Sequence, residues 1–391
     1  MSEDDLGSSA VALTAELVGI DSVSPSLAPG SPGEAAIVAV LTERLTGAGY
    51  RVERVADDPA RPSLVAVRDG SRPGRCVVLN GHLDTVPTDG MDAPFRARVE
   101  GDRMYGRGTS DMKGGVAGLV VAAERLAALD APGRLVVVLV SDEEDGSVGA
   151  EAVLARLHEL AGIPDACLIA EPTWLDVAQA HRGYELMRVQ LVGRAAHSSQ
   201  PAEAVDVVPV VAAILAAVKR ADEALASADA DPQLDRGSLM TTVVRAGSAP
   251  FTVAAAAELM VERRTLPSES PDAGLVGLEA IVGSVDHAGC EVAVSSVMRR
   301  APWQLAPSGG SADLAAGLSR ALAQRGRPVA RRGFPYWMES ALWEEAGVPT
   351  VVCGPAGGGL HAVDEWVDLE QLRLYPAVVV DAVLELLDAQ D

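Results

Sequence analysis

The sequence predicts an α/β fold: a mostly parallel sheet flanked by helices, interrupted by an inserted α+β domain. Three observations predict it. Helical and strand patterns alternate through about the first 180 residues, as they do where crossover helices join parallel strands. From about residue 182 the order changes to strand-helix-strand-strand-helix-strand, and the α/β style returns at "TVVCGP" (350–355). A chain of 391 residues with 48% apolar side chains is also too long for one ordinary core and apolar enough to fill two.

The elements follow in order. "SSAVALTAELVGI" (8–20) and "GEAAIVAVLTERLTGAGY" (33–50) carry helical apolar spacing, the second ending at Gly47 and Gly49. "RVERV" (51–55) and "SLVAVRDG" (63–70) read as strands, and "RCVVLN" (75–80) is a short apolar run suited to a buried one. Next come a helix in "MKGGVAGLVVAAERLAAL" (112–129), a strand in "RLVVVLVS" (134–141), a helix in "SVGAEAVLARLHEL" (147–160) and a strand in "ACLIAEP" (166–172). The second domain comprises strand 184–193, helix 207–226, strands 238–247 and 257–266, helix 273–285 and strand 290–301. That βαββαβ order suits a ferredoxin-like sheet with two helices on one face. "SADADPQLDRG" (227–237) reads as a flexible loop, and "LEQLRLYPAVVVDAVLELL" (369–387) closes the chain as a helix. The expected domains are 1–181 with 298–391, and 182–297 inserted between them.

Composition excludes several classes of function. A formal net charge of −23 opposes nucleic-acid binding, which needs a basic surface to displace counterions. No run of eighteen apolar residues occurs, and "MSEDDLGSSA" has neither a basic nor an apolar leader region. The four cysteines (76, 167, 290 and 353) form no Cys-x-x-Cys pair, as expected of buried thiols in a reducing cytoplasm. A soluble cytoplasmic protein with no membrane partner is expected. Lys113 and Lys219 are the chain's two lysines, a bias of composition rather than mechanism.

Polar residues follow the buried strands of the first domain. His82 and Asp84 follow "RCVVLNG", Glu143 and Glu144 follow "RLVVVLVSD", Glu171 follows "ACLIA", and His361 lies in the glycine-rich loop after "TVVCGP". Ligands of open α/β sheets bind beyond the carboxyl ends of the strands, so these groups are expected to converge there. Asp111 joins them from "GRGTSDMKGG", just before a helix, where it also suits an N-cap. Two histidines with carboxylates suit zinc or a similar divalent ion rather than a thiolate site. Asp111, Glu144 and Glu171 with one bridging hydroxide neutralise two such ions, which leaves Glu143 free to move a proton. Each piece has a plainer reading as well. "NGHLDTVP" (80–87) also reads as a polar turn closing a strand, and "DEED" (142–145) as a solvated turn or helix start. "GRGTSD" fails the dinucleotide fingerprint at its third glycine position, and no G-x-S-x-G elbow occurs.

Together the motifs "NGHLDTVP", "YGRGTSDMKGG", "SDEEDGSVGA", "AEPT", "GRAAHSSQP", "ERRTLP" and "GPAGGGLHAVDEWV" resemble the co-catalytic zinc peptidases and deacylases. That family includes acetylornithine deacetylase, succinyl-diaminopimelate desuccinylase, aminoacylase and glutamate carboxypeptidase. The resemblance runs in motif order from the first helix to the last and implies a zinc-exopeptidase-like catalytic domain with a lid and dimerisation domain inserted. It implies that His82 and Glu171 hold one zinc, Glu144 and His361 the other, and that Asp111 bridges them. Cobalt or manganese could replace zinc. Glu143 would be the general base, taking a proton from the bridging water and returning it to the leaving amine. Asp84 would accept from the His82 imidazole and fix its tautomer, as partners of ligating histidines do; the i, i+2 spacing puts both on one face of an extended segment. The glycines at 114 and 115 would allow close backbone approach, and Lys113 takes no catalytic role.

The same resemblance implies a homodimer in which His197 reaches the partner subunit's site and stabilises the oxyanion. It also implies that Arg264 holds a substrate carboxylate, with Arg263 on the opposite strand face. Two departures fall on the substrate side. Phe251, in "RAGSAPFTVAAAAEL", stands where the family's asparagine is expected, and "GFPYWMESALW" gathers Phe334, Tyr336, Trp337 and Trp343 near Glu339, which matches an acidic family position. Aromatic groupings are more often core than pocket. The expected activity is metal-dependent hydrolysis of the amide of a small N-acyl amino acid. A dipeptidase or carboxypeptidase is the alternative, since only pocket contacts separate them. A catalytically silent binding protein on the same fold is the alternative of another class, which loss of Glu143 or of a ligand would favour; none is lost.

Overall fold

The computed structural model describes residues 1–388 except 57 and 228. Residue 228 of the expected 227–237 loop, and residues 57 and 389–391 of the expected first domain, thus lie outside the described residues. The chain forms two compact units. One comprises Met1–Ala178, Leu305–Arg331 and Met338 to the last described residue; the other comprises Gln179–Gln304 and Arg332–Trp337.

In the first unit, six strands among the described residues form one sheet in the order Arg51–Val55, Ser63–Asp69, Arg134–Val140, Cys76–His82, Ala166–Ile169, Thr350–Val352. The last four run parallel, and the first two pair antiparallel, so the sheet is mixed at one edge. Both faces are covered, which is why the central strands are continuous apolar runs rather than alternating ones. Leu64, Leu79, Val137 and Leu168 point into a core shared with helices Glu3–Val18, Ala35–Gly47, Gly114–Ala128, Gly310–Gln324 and Leu369–Asp388. Helix Val148–Ala161 packs against the sheet outside that core. The parallel strands end together, with His82 opposite Val140 and Val352 opposite Ile169. Their carboxyl ends therefore deliver four loops to one edge.

Helix Gly310–Gln324 was not singled out by apolar spacing. Nor were the short strands Arg98–Glu100, Arg103–Tyr105, Gly357–Gly358 and Trp366–Asp368, which form a separate small sheet. No helix among the described residues is long and apolar enough to cross a membrane.

The second unit holds the βαββαβ arrangement. Its antiparallel sheet has the order Ser238–Ala246, Ala256–Thr265, Gly183–Val192, Glu291–Arg300 among the described residues. Alternate residues of the central strands, such as Met187, Val189, Leu259 and Val261, pack on Ile214 and Val218 of helix Val208–Ala226 and on Leu278 of helix Ala273–Gly283. The other face is partly open, with Val192 and Met240 about half exposed. One-sided burial of this kind produces the period-two pattern seen in the sequence. The aromatic stretch 334–343 divides. Phe334 and Trp343 are buried, while Trp337 meets His181 and Tyr184 edge-on within the second unit.

Candidate metal centre

His82 is the last residue of its strand and is fully buried. Its Nδ1 lies 3.1 Å from the backbone oxygen of Asp84. A carbonyl only accepts, so this contact puts the proton on Nδ1 and leaves the Nε2 lone pair for a cation. The Asp84 carboxylate is farther from Nδ1, at 3.5 Å. Its oxygens instead accept from the backbone N–H groups of Glu143 (3.1 Å) and Glu144 (3.2 Å). The sequence pointed to the carboxylate as the imidazole's partner; the nearer partner is the carbonyl, and the carboxylate clamps the following turn.

That turn is fixed from a second direction. Asp142 has a left-handed backbone (φ 66°) and is buried. Its carboxylate pairs with Arg61 at 2.7 Å and accepts from Ser26 at 2.8 Å and Ser24 at 3.3 Å. "DEED" thus opens on a buried, cross-braced Asp142, continues through the partly buried Glu143 and Glu144 and reaches solvent at Asp145. None of Arg61, Ser24 or Ser26 stood out in the sequence.

Asp111 precedes helix Gly114–Ala128. Its Oδ1 lies 3.0 Å from His82 Nε2, and its Oδ2 lies 3.4 Å from His361 Nε2. His361 Nε2 is also 3.0 Å from Glu144 Oε2, and His82 Nε2 is 3.9 Å from Glu171 Oε1. A Cβ on Gly115 would lie 2.3 Å from the carbonyl oxygen of Ala170, so a glycine there lets the helix start and the Glu171 loop approach. Two donor sets result among the described residues: His82, Glu143 and Glu171, and His82, Asp111 and Glu144, each with its donor atoms within 4.8 Å of one another. A tetrahedral zinc with bonds of about 2.0–2.2 Å sets its ligand atoms roughly 3.3–3.6 Å apart, so pairs at 3.0–3.9 Å lie within a few tenths of an ångström of that spacing.

The electrostatics point the same way. Burial first, then the neighbouring Glu171, Glu144 and Glu339 carboxylates, push Glu143 well above the usual carboxylate range. Burial and Asp111 push Glu144 up to about 7, and Glu171 is raised well above its ordinary value by burial and the same neighbours. Burial would also raise Asp111, but the imidazoles of His361 and His82 hold it below the ordinary range. Asp111 and Glu144 push His361 up to about 10. His82 is raised too, because Asp111 and Asp84 outweigh its burial. Buried carboxylates crowded in this way lack positive charge, which divalent cations supply.

Two residues that the sequence did not single out hold the Asp111 loop. Glu365 is 1% exposed and Arg107 2%. The Glu365 carboxylate accepts from Arg107 Nη1 at 2.7 Å and from the backbone of Gly108 (2.9 Å), Ser110 (2.9 Å) and Asp111 (3.1 Å). Lys113 is fully buried, with its pKa lowered to about 7 by burial. It donates to the carbonyls of Leu17 (3.1 Å) and Ile20 (2.8 Å), fastening the end of helix Glu3–Val18.

The family model of peptidase family M20/M25/M40 matches residues 78–385, the span that carries His82, Asp111, Glu143, Glu144, Glu171 and His361. The chain belongs to that family. A succinyl-diaminopimelate desuccinylase of Dinoroseobacter shibae is 29% identical over 94% of this chain and 96% of its own. An N-acetyl-L-citrulline deacetylase of Xanthomonas campestris is 31% identical, covering 92% and 93% of the two chains. Among solved structures, a dinuclear metal-binding M20 peptidase of Bacillus subtilis superposes with a TM-score of 0.73 at 16% identity, covering 98% and 99%. The fold is the M20 fold, and the protein is a hydrolase of amide bonds.

The remaining predicted site residues fall in different places. Glu339 belongs to the first unit, is buried, and adds its charge to those around Glu143 and Glu171. His197, Phe251 and Arg264 belong to the second unit. His197 and Phe251 are brought together there: Ser198 N–H donates to the Phe251 carbonyl at 2.9 Å, and Val253 N–H to that of Ala196 at 3.0 Å. Phe251 is 78% exposed with φ 66°, a backbone that asparagine adopts far more readily than phenylalanine. Arg263 is buried against Glu269, whereas Arg264 is half-buried on the opposite strand face, with Nε 2.5 Å from Glu262.

Proposed function

We propose that this M20 chain is a two-cation amidohydrolase acting on small N-acyl amino acids. The observation that carries this is the Asp111 carboxylate, whose two oxygens face two different imidazoles at 3.0 and 3.4 Å. In this reading His82 and Glu171 hold one cation and Glu144 and His361 the other, with Asp111 shared between them. Imidazole and carboxylate donors suit zinc, with cobalt and manganese as substitutes. Cations bound there would supply the chemistry that lowers the pKa of a water and polarises the acyl carbonyl.

Glu143 lies beside His82 and Glu171 within one donor set and is read as the base rather than as a ligand. It takes the proton from the attacking water and delivers it to the amide nitrogen as the C–N bond breaks. The two N–H bonds to Asp84 set the backbone from which Glu143 and Glu144 project. His197 is read as the donor to the oxyanion, supplied by a second copy of the chain. Its Nδ1 lies 2.8 Å from Ser199 Oγ and 3.2 Å from Ser199 N–H; with both groups donating to Nδ1, Nε2 would carry the proton that such a donor needs. Arg264 is read as the group that meets the substrate carboxylate, and Phe251 and Glu339 as substrate-side contacts. The partly open sheet face of the second unit supports a homodimer, and four free thiols suit a cytoplasmic location.

The deacylase reading is supported by two relatives that are named for N-acyl substrates and match over more than nine-tenths of both chains. A peptidase reading draws on the fold shared with the Bacillus subtilis peptidase. The test is a screen of zinc-reconstituted protein against N-acetyl and N-succinyl amino acids and dipeptides. Turnover of the N-acyl compounds with little of the dipeptides is expected. The reverse preference would establish the peptidase reading, and no turnover of either would overturn the proposal.

A further inference from the structure

The buried pair of Arg107 and Glu365 reaches more than the Asp111 loop. Beyond Glu365, the guanidinium donates through Nη2 to the carbonyls of Pro87 (3.1 Å) and Ala362 (3.2 Å). Ala362 directly follows His361. Four donors converge on the Glu365 carboxylate, one of them the N–H of Asp111, while its guanidinium partner holds the carbonyl next to His361. One ion pair thereby fixes the bridging carboxylate relative to the loop-borne imidazole.

His82 needs no such device. It ends a strand paired on both sides through residues 77–80 and is itself opposite Val140, with its ring set by the Asp84 carbonyl. His361 lies in a loop at φ 60° with its side chain 54% exposed, and the neighbouring turn bond runs from Ala362 N–H to the Gly359 carbonyl. Its position depends on what holds that loop.

Resting on the two-cation reading, we propose that Arg107 is a positioning residue for His361 and Glu365 one for the shared Asp111, so that the His361–Glu144 half depends on both and the His82–Glu171 half depends on the pair only through Asp111. A glutamine at 365 keeps the volume, but its NH2 would face N–H donors, so at least part of the set is lost. A lysine at 107 keeps the charge and loses the fork that reaches two carbonyls at once.

The test is a zinc titration of the cation-free full-length protein, its E365Q variant and its R107K variant against a chromophoric chelator, with a thermal melt of each. Wild type should take up two equivalents. R107K should keep the tighter equivalent within about threefold and weaken the other by about 10–100-fold, the usual cost of removing an outer partner of a metal site; E365Q, which also loosens Asp111, should weaken the looser equivalent by as much and the tighter one by less than about tenfold, and saturating zinc should restore the turnover of both. Equal weakening of both equivalents, no weakening of either, or turnover that zinc does not restore would overturn the proposal. Fewer than two equivalents in wild type would instead overturn the two-cation reading itself. If E365Q does not fold, the R107K titration decides alone.

Discussion

The two imidazoles of the centre are held in opposite ways. His82 is buried at the end of a central strand, where the sheet and the Asp84 carbonyl leave its ring no freedom. His361 is half exposed on a glycine-rich loop, positioned through backbone contacts of its neighbours. The difference teaches that one half of the site is a consequence of the fold, while the other is built onto it by side chains reaching for main-chain groups. Damage to the first half should therefore cost stability and chemistry together, and damage to the second should cost chemistry with a smaller loss of stability.

The largest effect is expected from His82→Ala. Turnover should fall by at least about a thousandfold, and stability by at least about 2 kcal/mol through a cavity among buried carboxylates. Denaturant unfolding alongside kinetics checks both, and an unchanged stability would remove the contrast. Glu143→Gln should lower kcat by about 10²–10⁴ while both zinc equivalents remain; loss of an equivalent would make Glu143 a ligand rather than the base. His361→Ala should lose one equivalent and cost less stability than His82→Ala, because a half-exposed imidazole leaves no buried cavity and only its contacts with Asp111 and Glu144 are lost. Asp84→Asn should be milder, lowering kcat about tenfold by releasing one of the two N–H groups of the 143–144 turn. If it abolished zinc binding instead, Asp84 would belong with the ligands.

A pH titration sharpens the same contrast with the smallest effect. In cation-free protein Glu144, raised by burial and Asp111 to about 7, and His361, raised by Asp111 and Glu144 to about 10, hold their protons below those values. Both must shed them to bind a cation. Zinc affinity on the His361 side should thus rise with pH, more steeply below about 7, where two protons leave, than above it, where one does. Calorimetry in buffers of different ionisation enthalpy counts those protons, and a flat profile would contradict the assignment.

Much of this was legible in the sequence because period and position carry it. The one-sided sheet of the second unit wrote its burial as alternation, and the parallel strands announced themselves as apolar runs whose ends placed His82, Glu143, Glu144 and Glu171 at one edge. Groups that act through main chain were harder to see. Glu365 and Asp142 receive backbone N–H groups or distant side chains, and such partners leave no residue-type pattern; Asp84 stood out beside His82, but its hold on the 143–144 turn did not. Arg61 and Ser24 meet Asp142 across more than eighty residues of sequence. The aromatic stretch 334–343 was ambiguous for a related reason: adjacent residues serve different units, and composition alone does not divide them.

The central claim is that Asp111 lies between two cations, one held with His82 and Glu171 and one with Glu144 and His361. Anomalous diffraction at the zinc edge from crystals of the zinc-loaded protein tests it most directly. Two peaks flanking the Asp111 carboxylate, one against each imidazole, are predicted. A single peak against His82, with Glu144 and His361 turned away from it, would contradict the account.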